Sequence, residues 1–396
     1  MESMVFNFDL SGKKAQGQRT VCGVVGSGNL EIIVEENNSM QTRFEIETVV
    51  EHYQPIWSLV IENFVKEYHP VGLKFTLNDN GATPVVVSLR LRQAFEAFNG
   101  YEKIGSNYLE LAARERITAI ADSHSFTEWL ANEEYYSPHL AALDLPGEAD
   151  DGLIIGSATL NAKKILIAAQ QKDFMGGAVG EIHGAKLTGL FKAAVKNGIE
   201  AVVLLIDSGG VRLHEANAGE IAISEAIRAI FDARSKGVMT IGVICGKNGS
   251  FGGMGIISAC LDWVIVNEIG RIGVSGADVI QAVKGVEVFD ARDRSLVWRV
   301  YGGKTRYLQQ VAQSYVGSSV DAIKEAIVGA IPKKCPLDLH SIKEQHALLK
   351  SRLEATKGYQ EEGSYLADKF PQYAATLFEM DESSFLQAAK QMKRDK

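Results

Sequence analysis

The apolar positions of the first part of the chain switch between two periods. Phe44-Glu45-Ile46-Glu47 and Leu73-Lys74-Phe75-Thr76-Leu77 alternate apolar and polar, the pattern of half-buried strands. Between them Pro55 suits a first helical position, and Ile56, Leu59, Val60 and Phe64 recur on one helical face up to the limit set by Pro70. Asn80-Gly81 is a turn signal, after which Val87, Leu91, Ala94, Phe95 and Phe98 return to helical spacing. Asn99-Gly100 and Gly105-Ser106-Asn107 then read as a boundary. The pattern predicts a small α/β domain over residues 1–103.

From Gly152 to about Gly276 the texture changes. Leu153-Ile154-Ile155 and Ile165-Leu166-Ile167-Ala168 read as strands, and 177–197 as a helix burying Leu187, Leu190, Phe191 and Ala194. Val202-Val203-Leu204-Leu205-Ile206 is a continuous apolar strand, the kind buried on both faces. A helix from about Ala216 to Arg234, a strand from Thr240 to Ile244 and a short helix ending at Cys260 follow. Strands alternating with helices predict a layered α/β domain over residues 104–396. Its charged helical stretch from about residue 340 reads as a solvated outer layer.

Composition narrows the class. With 396 residues, 46% of them hydrophobic and 23% charged, the chain is long enough for two or three globular domains. A net charge of -8 argues against a nucleic-acid partner, because phosphate binding demands basic surface. No apolar run reaches membrane-spanning length, and the N-terminus lacks the basic and apolar regions of a signal peptide. Cys22, Cys245, Cys260 and Cys335 are scattered without a C-x-x-C pair, which suits a reducing cytoplasm. No H-x-x-x-H or H-E-x-x-H pattern exists, so no catalytic metal is expected, and no biotinylation segment is present.

Three stretches carry candidate chemistry. In V-C-G-V-V-G-S-G-N-L (21–30), Ser27 stands exposed between two glycines. A dinucleotide loop would need a third glycine where Glu31 stands, and a hydrolase elbow would need glycines where Val25 and Asn29 stand. A site of attachment and a plain tight turn both remain open. The turns I-D-S-G-G-V-R-L-H-E (206–215) and G-K-N-G-S-F-G-G-M-G (246–255) each follow an apolar strand and lead towards a helix. Glycine pairs there let backbone N–H groups of Gly209, Gly210, Gly252 and Gly253 face a ligand, as an oxyanion hole requires; the other reading is close strand-to-helix packing. Arg212 and His214 are candidate supporting residues, whereas His183, among apolar helical neighbours, reads as a structural histidine. Arg292, Arg294, Arg299, Lys304 and Arg306 gather around Trp298 and suggest a contact with phosphates or a partner, against a solvated face paired to Asp290 and Asp293.

The residues then point to a family. A-R-E-R-I (113–117), S-F-T-E-W (125–129), D-F-M-G-G-A-V-G-E-I-H-G-A-K (173–186), D-S-G-G-V-R-L-H-E and G-S-F-G-G-M-G resemble an acyl-CoA carboxyltransferase lobe of the ClpP/crotonase-like fold. H-E-A-N-A-G (214–219) and F-D-A-R-D-R-S-L-V-W-R-V-Y-G-G-K (289–304) are similar to the β subunit of biotin-independent malonate decarboxylase. V-V-G-S-G-N-L-E-I (24–32), P-I-W (55–57) and N-D-N-G-A-T-P-V-V-V-S-L-R-L-R-Q-A (78–94) resemble that enzyme's δ subunit, its acyl carrier protein. The resemblance implies a carrier–β fusion, although these parts are more usually separate polypeptides.

It further implies that Ser27 bears 2'-(5''-phosphoribosyl)-3'-dephospho-coenzyme A, attached by a prosthetic-group transferase. Malonate would be loaded on its thiol by the α subunit, an acetyl-S-ACP:malonate transferase. The malonyl thioester would lose CO2 in the carboxyltransferase-like site, leaving the acetyl thioester. Because such sites lie between two similar lobes and this chain supplies one, a γ-like subunit is the expected partner. Two alternatives stand beside this reading: a carboxyltransferase subunit of a biotin-dependent system, and a non-catalytic carrier scaffold.

Overall fold

A computed structural model describes residues 2–23, 25, 28–99, 107–131, 133–333, 335, 337–359, 362–374 and 376–394. The chain divides into two compact units, Met1–Ile104 and Gly105–Lys396. In the first, strands β1 (Glu2–Phe8), β2 (Thr20–Gly23), β3 (Asn29–Glu36) and β4 (Thr42–Thr48) precede helix α1 (Gln54–Tyr68), strand β5 (Leu73–Asn80) and helix α2 (Pro84–Phe98). The sheet order is β1-β4-β5-β3-β2, and only β4 and β5, joined through α1, run parallel. Alternation puts Leu30, Ile32, Val34, Phe44, Ile46, Phe75 and Leu77 in the core with Trp57 and Phe64 of α1 and Leu91 and Phe98 of α2. Phe44 stacks on Phe75 at 4.6 Å between ring centres, and Phe64 meets Phe75 edge-on at 5.5 Å. Pro55 stands in the first turn of α1, and Thr83 caps α2 by accepting the Val86 amide.

The second unit is built on a seven-stranded sheet of order β12-β11-β10-β9-β8-β7-β6. These strands are β6 (Thr127–Glu128), β7 (Leu153–Leu160), β8 (Lys163–Gln170), β9 (Ala201–Leu205), β10 (Met239–Ile244), β11 (Trp263–Val266) and β12 (Ser314–Tyr315). β6 to β8 pair antiparallel, and β8 to β12 are parallel. All of β9 is buried because both sheet faces are covered. Val202 and Leu204 pack towards α5 (Glu181–Lys196), α6 (Asn217–Ser235) and α7 (Gly252–Ala259); Val203 and Leu205 pack towards α3 (Ala113–Ile120) and α11 (Val320–Ala330). The remaining helices are α4 (Pro138–Ala142), α8 (Ala277–Lys284), α9 (Arg294–Tyr301), α10 (Gly303–Leu308), α12 (Leu339–Ala355), α13 (Glu362–Lys369), α14 (Pro371–Ala374) and α15 (Glu382–Arg394). This is the α/β, crotonase-like architecture that the sequence leads one to expect.

Two local expectations are corrected. The helix expected from residue 177 begins at Glu181, because Gly176 and Gly177 take left-handed φ values of 65° and 70° and cannot continue it backwards. The stretch beyond residue 340 is not a uniform solvated layer. No residue of α12 is buried, but Leu366, Phe370, Leu377, Phe385, Ala388 and Met392 form a core with Leu308 and Tyr315.

Candidate functional site

The parallel strands β9 and β10 end side by side, so the turns that follow them are neighbours. Ser208 bridges Ser250, and Ser250 bridges Ile272. The Ser208 amide donates to Gly249 O at 2.7 Å, and the Phe251 amide donates back to Ser208 O at 3.1 Å. Gly210 (φ 139°) and Gly252 (φ 52°) meet back to back: a Cβ on Gly252 would stand 3.1 Å from Gly210 Cα. That approach, together with the left-handed backbone, is what requires glycine at both positions.

The turns do not offer all four expected amides. Gly209 donates to Gly176 O at 2.8 Å and Gly252 to Val274 O at 3.0 Å. The Gly210 amide is taken by its neighbour Ser208 Oγ at 3.2 Å. Among the described residues, the amides of Gly253, Met254 and Val211 have no acceptor. Gly253 and Met254 lie in the first turn of α7, where unpaired N–H groups and the helix dipole favour negative charge. Val211 lies beside them: a Cβ on Gly252 would stand 3.7 Å from Val211 N. Of the four expected amides only that of Gly253 is without an internal acceptor, whereas those of Gly209, Gly210 and Gly252 brace the turns. The reason is elementary, since an amide already donating to a carbonyl has nothing left to offer a ligand.

Buried charge locks this geometry. Asp207, two residues past the end of β9, is fully buried; its Oδ2 accepts from Arg116 Nη1 at 2.8 Å and its Oδ1 from the Asn248 amide at 2.6 Å. One carboxylate thus ties the first turn to the second. Burial first, and the Arg116 charge second, hold the nearby Lys172 ammonium below its ordinary pKa. On the other side Arg212 is fully buried, pairing with Asp151 at 2.6 Å and Glu215 at 3.1 Å and donating to Ala178 O. Glu215 in turn accepts the Glu181 amide, fixing the start of α5. Arg212, expected as a supporting group, is an internal strut, and His214 beside it is exposed. His183 is fully buried next to Gln170, and burial pushes its pKa well below the ordinary value.

The basic cluster divides. Lys304 is corrected: its ammonium is buried, 2.7 Å from Glu268, and donates to Phe378 O and Met380 O, so it clamps the C-terminal helices and faces no ligand. Arg292 is exposed and pairs with Asp290 at 3.2 Å, and Arg299 donates to Ser295 Oγ. Arg306 donates to Ile272 O, bracing the strand segment beneath the second turn. The Arg294 side chain and Ser27 lie outside the described residues. The flanks of Ser27 are described: Gly23 closes β2, Val25 is exposed, and Gly28 donates to Asn80 O at 2.9 Å with open space where a side chain would be. Among the described residues no cluster of His, Cys, Asp and Glu has the grouping of a metal site.

Sequence reasoning overlooked Val211, Met254 and the buried struts. Asp207 had a signal: a carboxylate directly after five apolar strand residues must find partners when buried. The amide states of Val211 and Met254 had none.

Comparisons with known proteins agree with this layout. The family described as "Malonate decarboxylase delta subunit" matches residues 17–98, and the carboxyl transferase domain family matches residues 110–296. A protein of Malonomonas rubra named malonyl-S-ACP:biotin-protein carboxyltransferase is 33% identical over 313 residues, covering 72% of this chain and 96% of that protein. A malonate decarboxylase acyl carrier protein of Acinetobacter calcoaceticus is 39% identical over 101 residues, 25% of this chain and 99% of that protein. A chain from the crystal structure of a Pseudomonas malonate decarboxylase hetero-tetramer in complex with malonate matches with a TM-score of 0.61 and 31% identity, covering 65% of this chain and 94% of that one.

Proposed function

The chain belongs to the malonate decarboxylase family, joining a δ-type acyl carrier and a β-type carboxyltransferase-like decarboxylase in one polypeptide, and on that premise we propose how its parts work. The reaction is decarboxylation of a malonyl thioester to an acetyl thioester. Breaking the carbon–carbon bond sends CO2 away and leaves an electron pair that spreads onto the thioester oxygen; a proton taken up at the carbon then completes the acetyl methyl group. The amides of Gly253 and Met254, with Val211 beside them, donate to that oxygen as its charge grows. The observation carrying this reading is that, where the two turns meet, the first amides of α7 and the amide of Val211 beside them have no internal acceptor. Turn rigidity comes from the buried Asp207–Arg116 and Arg212–Asp151–Glu215 struts.

Ser27 is the attachment residue for the prosthetic group, and 2'-(5''-phosphoribosyl)-3'-dephospho-coenzyme A is the group we assign to it. When bound, that group supplies a thiol on a long arm. The flanks of the turn fit so large an attachment: Val25 is exposed and the space beside Gly28 is open. Arg90, which donates to Asn29 Oδ1 beside the turn, would hold its phosphate charge.

A γ-like lobe, an α-type transferase and a prosthetic-group transferase complete the assembly. The support for a second lobe is an apolar ridge next to the second turn, where Val274, Val279, Val283, Val286 and Val288 are all exposed. Four free cysteines are consistent with a cytoplasmic setting, and among the described residues no helix is long and apolar enough to cross a membrane. The relative named for a biotin-protein acceptor keeps carboxylate transfer as the second reading. Incubating the modified, malonyl-loaded chain with its second lobe tests both. Release of CO2 without any biotin protein is expected, and release that depends on a biotin protein would favour the second reading.

A further inference from the structure

Helix α12, residues 339–355, is 17 residues long, and none of them is buried. It is closed at its start by a capping box, in which Asp338 accepts the Ser341 amide at 2.8 Å and Ser341 Oγ accepts the Asp338 amide. Helices draw most of their stability from packing an apolar face, and this one half-buries only Ser341, Leu348 and Arg352 on another side. Yet it has such a face. Leu339, Ile342, His346, Leu349 and Leu353 follow one another at intervals of three and four residues, the spacing of a coiled-coil seam. The four aliphatic members are between 55% and 71% exposed.

The seam's flanks are one-sided. With Leu339 at the first seam position, the flanking positions are Lys343, Gln345, Lys350 and Arg352, with no carboxylate among them. Glu344, on the far side, is engaged by His340 at 3.3 Å. A second copy of α12 laid antiparallel would set Lys343 against Lys350, and laid parallel would offer no opposite charge to either lysine. The chain as a whole carries a net charge of -8, so a basic seam stands against the general sign of the molecule. The seam is also narrow and has no Trp or Phe, unlike a helix that lies in a lipid surface.

We propose that α12 docks an amphipathic helix of another protein, with leucine- or isoleucine-type seam residues and acidic flanks. Two synthetic helices of about three heptads test this, identical in their Leu and Ile seam but carrying glutamate or lysine at the flanking positions. Fluorescence anisotropy with the full-length chain at low salt is expected to show the glutamate peptide binding about tenfold or more tighter than the lysine peptide. Leu349→Asp with Leu353→Asp should abolish binding without changing the melting temperature, because both side chains are exposed. Lys343→Glu with Lys350→Glu should invert the preference between the peptides. Equal binding of both peptides would overturn the proposal. So would concentration-dependent dimerisation that Leu353→Asp removes, or binding to phosphatidylserine vesicles when neither peptide binds.

Discussion

The described flanks of the β2–β3 turn in the carrier unit and the paired turns of the lobe are both glycine-rich, but their surroundings differ. Around the carrier turn the described contacts are few and polar: Gly28 to Asn80, Asn29 to Arg90, with open space beside Gly28. Around the lobe turns the amides of Ser208, Gly209, Gly210, Ser250, Phe251 and Gly252 are all donated inward, and two sets of buried ion pairs fix the chain on either side. A serine that must be presented to a modifying enzyme needs access more than position. Amides that must meet a developing charge need position before the reaction begins, since reorganising them would cost the rate they supply. Glycine serves the first as room and the second as close approach.

The sharpest way to separate the two turns is Gly253→Val. A Cβ there would stand 1.9 Å from Ile223 Cδ1, so that either the Ile223 side chain or the first turn of α7 must shift. Decarboxylation is expected to fall by about 10²–10³ or more, while mass spectrometry still finds Ser27 modified. Wild-type turnover would break the assignment of this amide. Next is Asp207→Ala, which leaves Arg116 buried without its partner. A loss of about 3–5 kcal/mol should lower the melting of the lobe by on the order of 10 °C and leave the carrier unit's transition where it was. An unmoved lobe transition would show that the strut carries no strain.

Acid should also distinguish the units. His183 is buried with its pKa held well below the usual value, so below about pH 6.5 the unfolded chain takes a proton there that the folded lobe refuses. Stability of the lobe is then present above that pH and falls as pH drops, by up to about 1.4 kcal/mol per unit. His183→Gln should flatten this slope in calorimetry between pH 5 and 7. The carrier unit, whose His52 and His69 are exposed, should show no such change from the substitution. The smallest effect is expected for Arg292→Glu, which breaks an exposed pair with Asp290. Both melting transitions should stay within about 0.5 kcal/mol, while assembly with the second lobe, followed by sedimentation, weakens several-fold. Unchanged assembly would remove the interface role of this cluster.

Much of this was legible in the residues because it rests on local rules. The alternation of Phe44, Ile46, Phe75 and Leu77, and the unbroken apolar run of β9, each specify a strand and the number of faces it buries. The glycine pairs announced where backbone approaches backbone. What sequence could not supply was the destination of each N–H, which depends on contacts such as Gly209 to Gly176 and Gly252 to Val274 between segments far apart in the chain. The same holds for Lys304, which looked like one of several surface cations and is in fact clamped to carbonyls of Phe378 and Met380. The solvation of α12 was legible in its charged pattern; its capping box and the separate core of α13 to α15, which needs β12 and α10 in place, were not.

The central claim is that one polypeptide carries both the arm and the site that acts on what it bears. Peptide-level mass determination on Ser27, in protein purified from its native host, tests it most directly. The account predicts the added mass of the phosphoribosyl-dephospho-coenzyme A group on that residue. A serine that stays bare while the purified chain and its partner lobe still turn over malonate would contradict it.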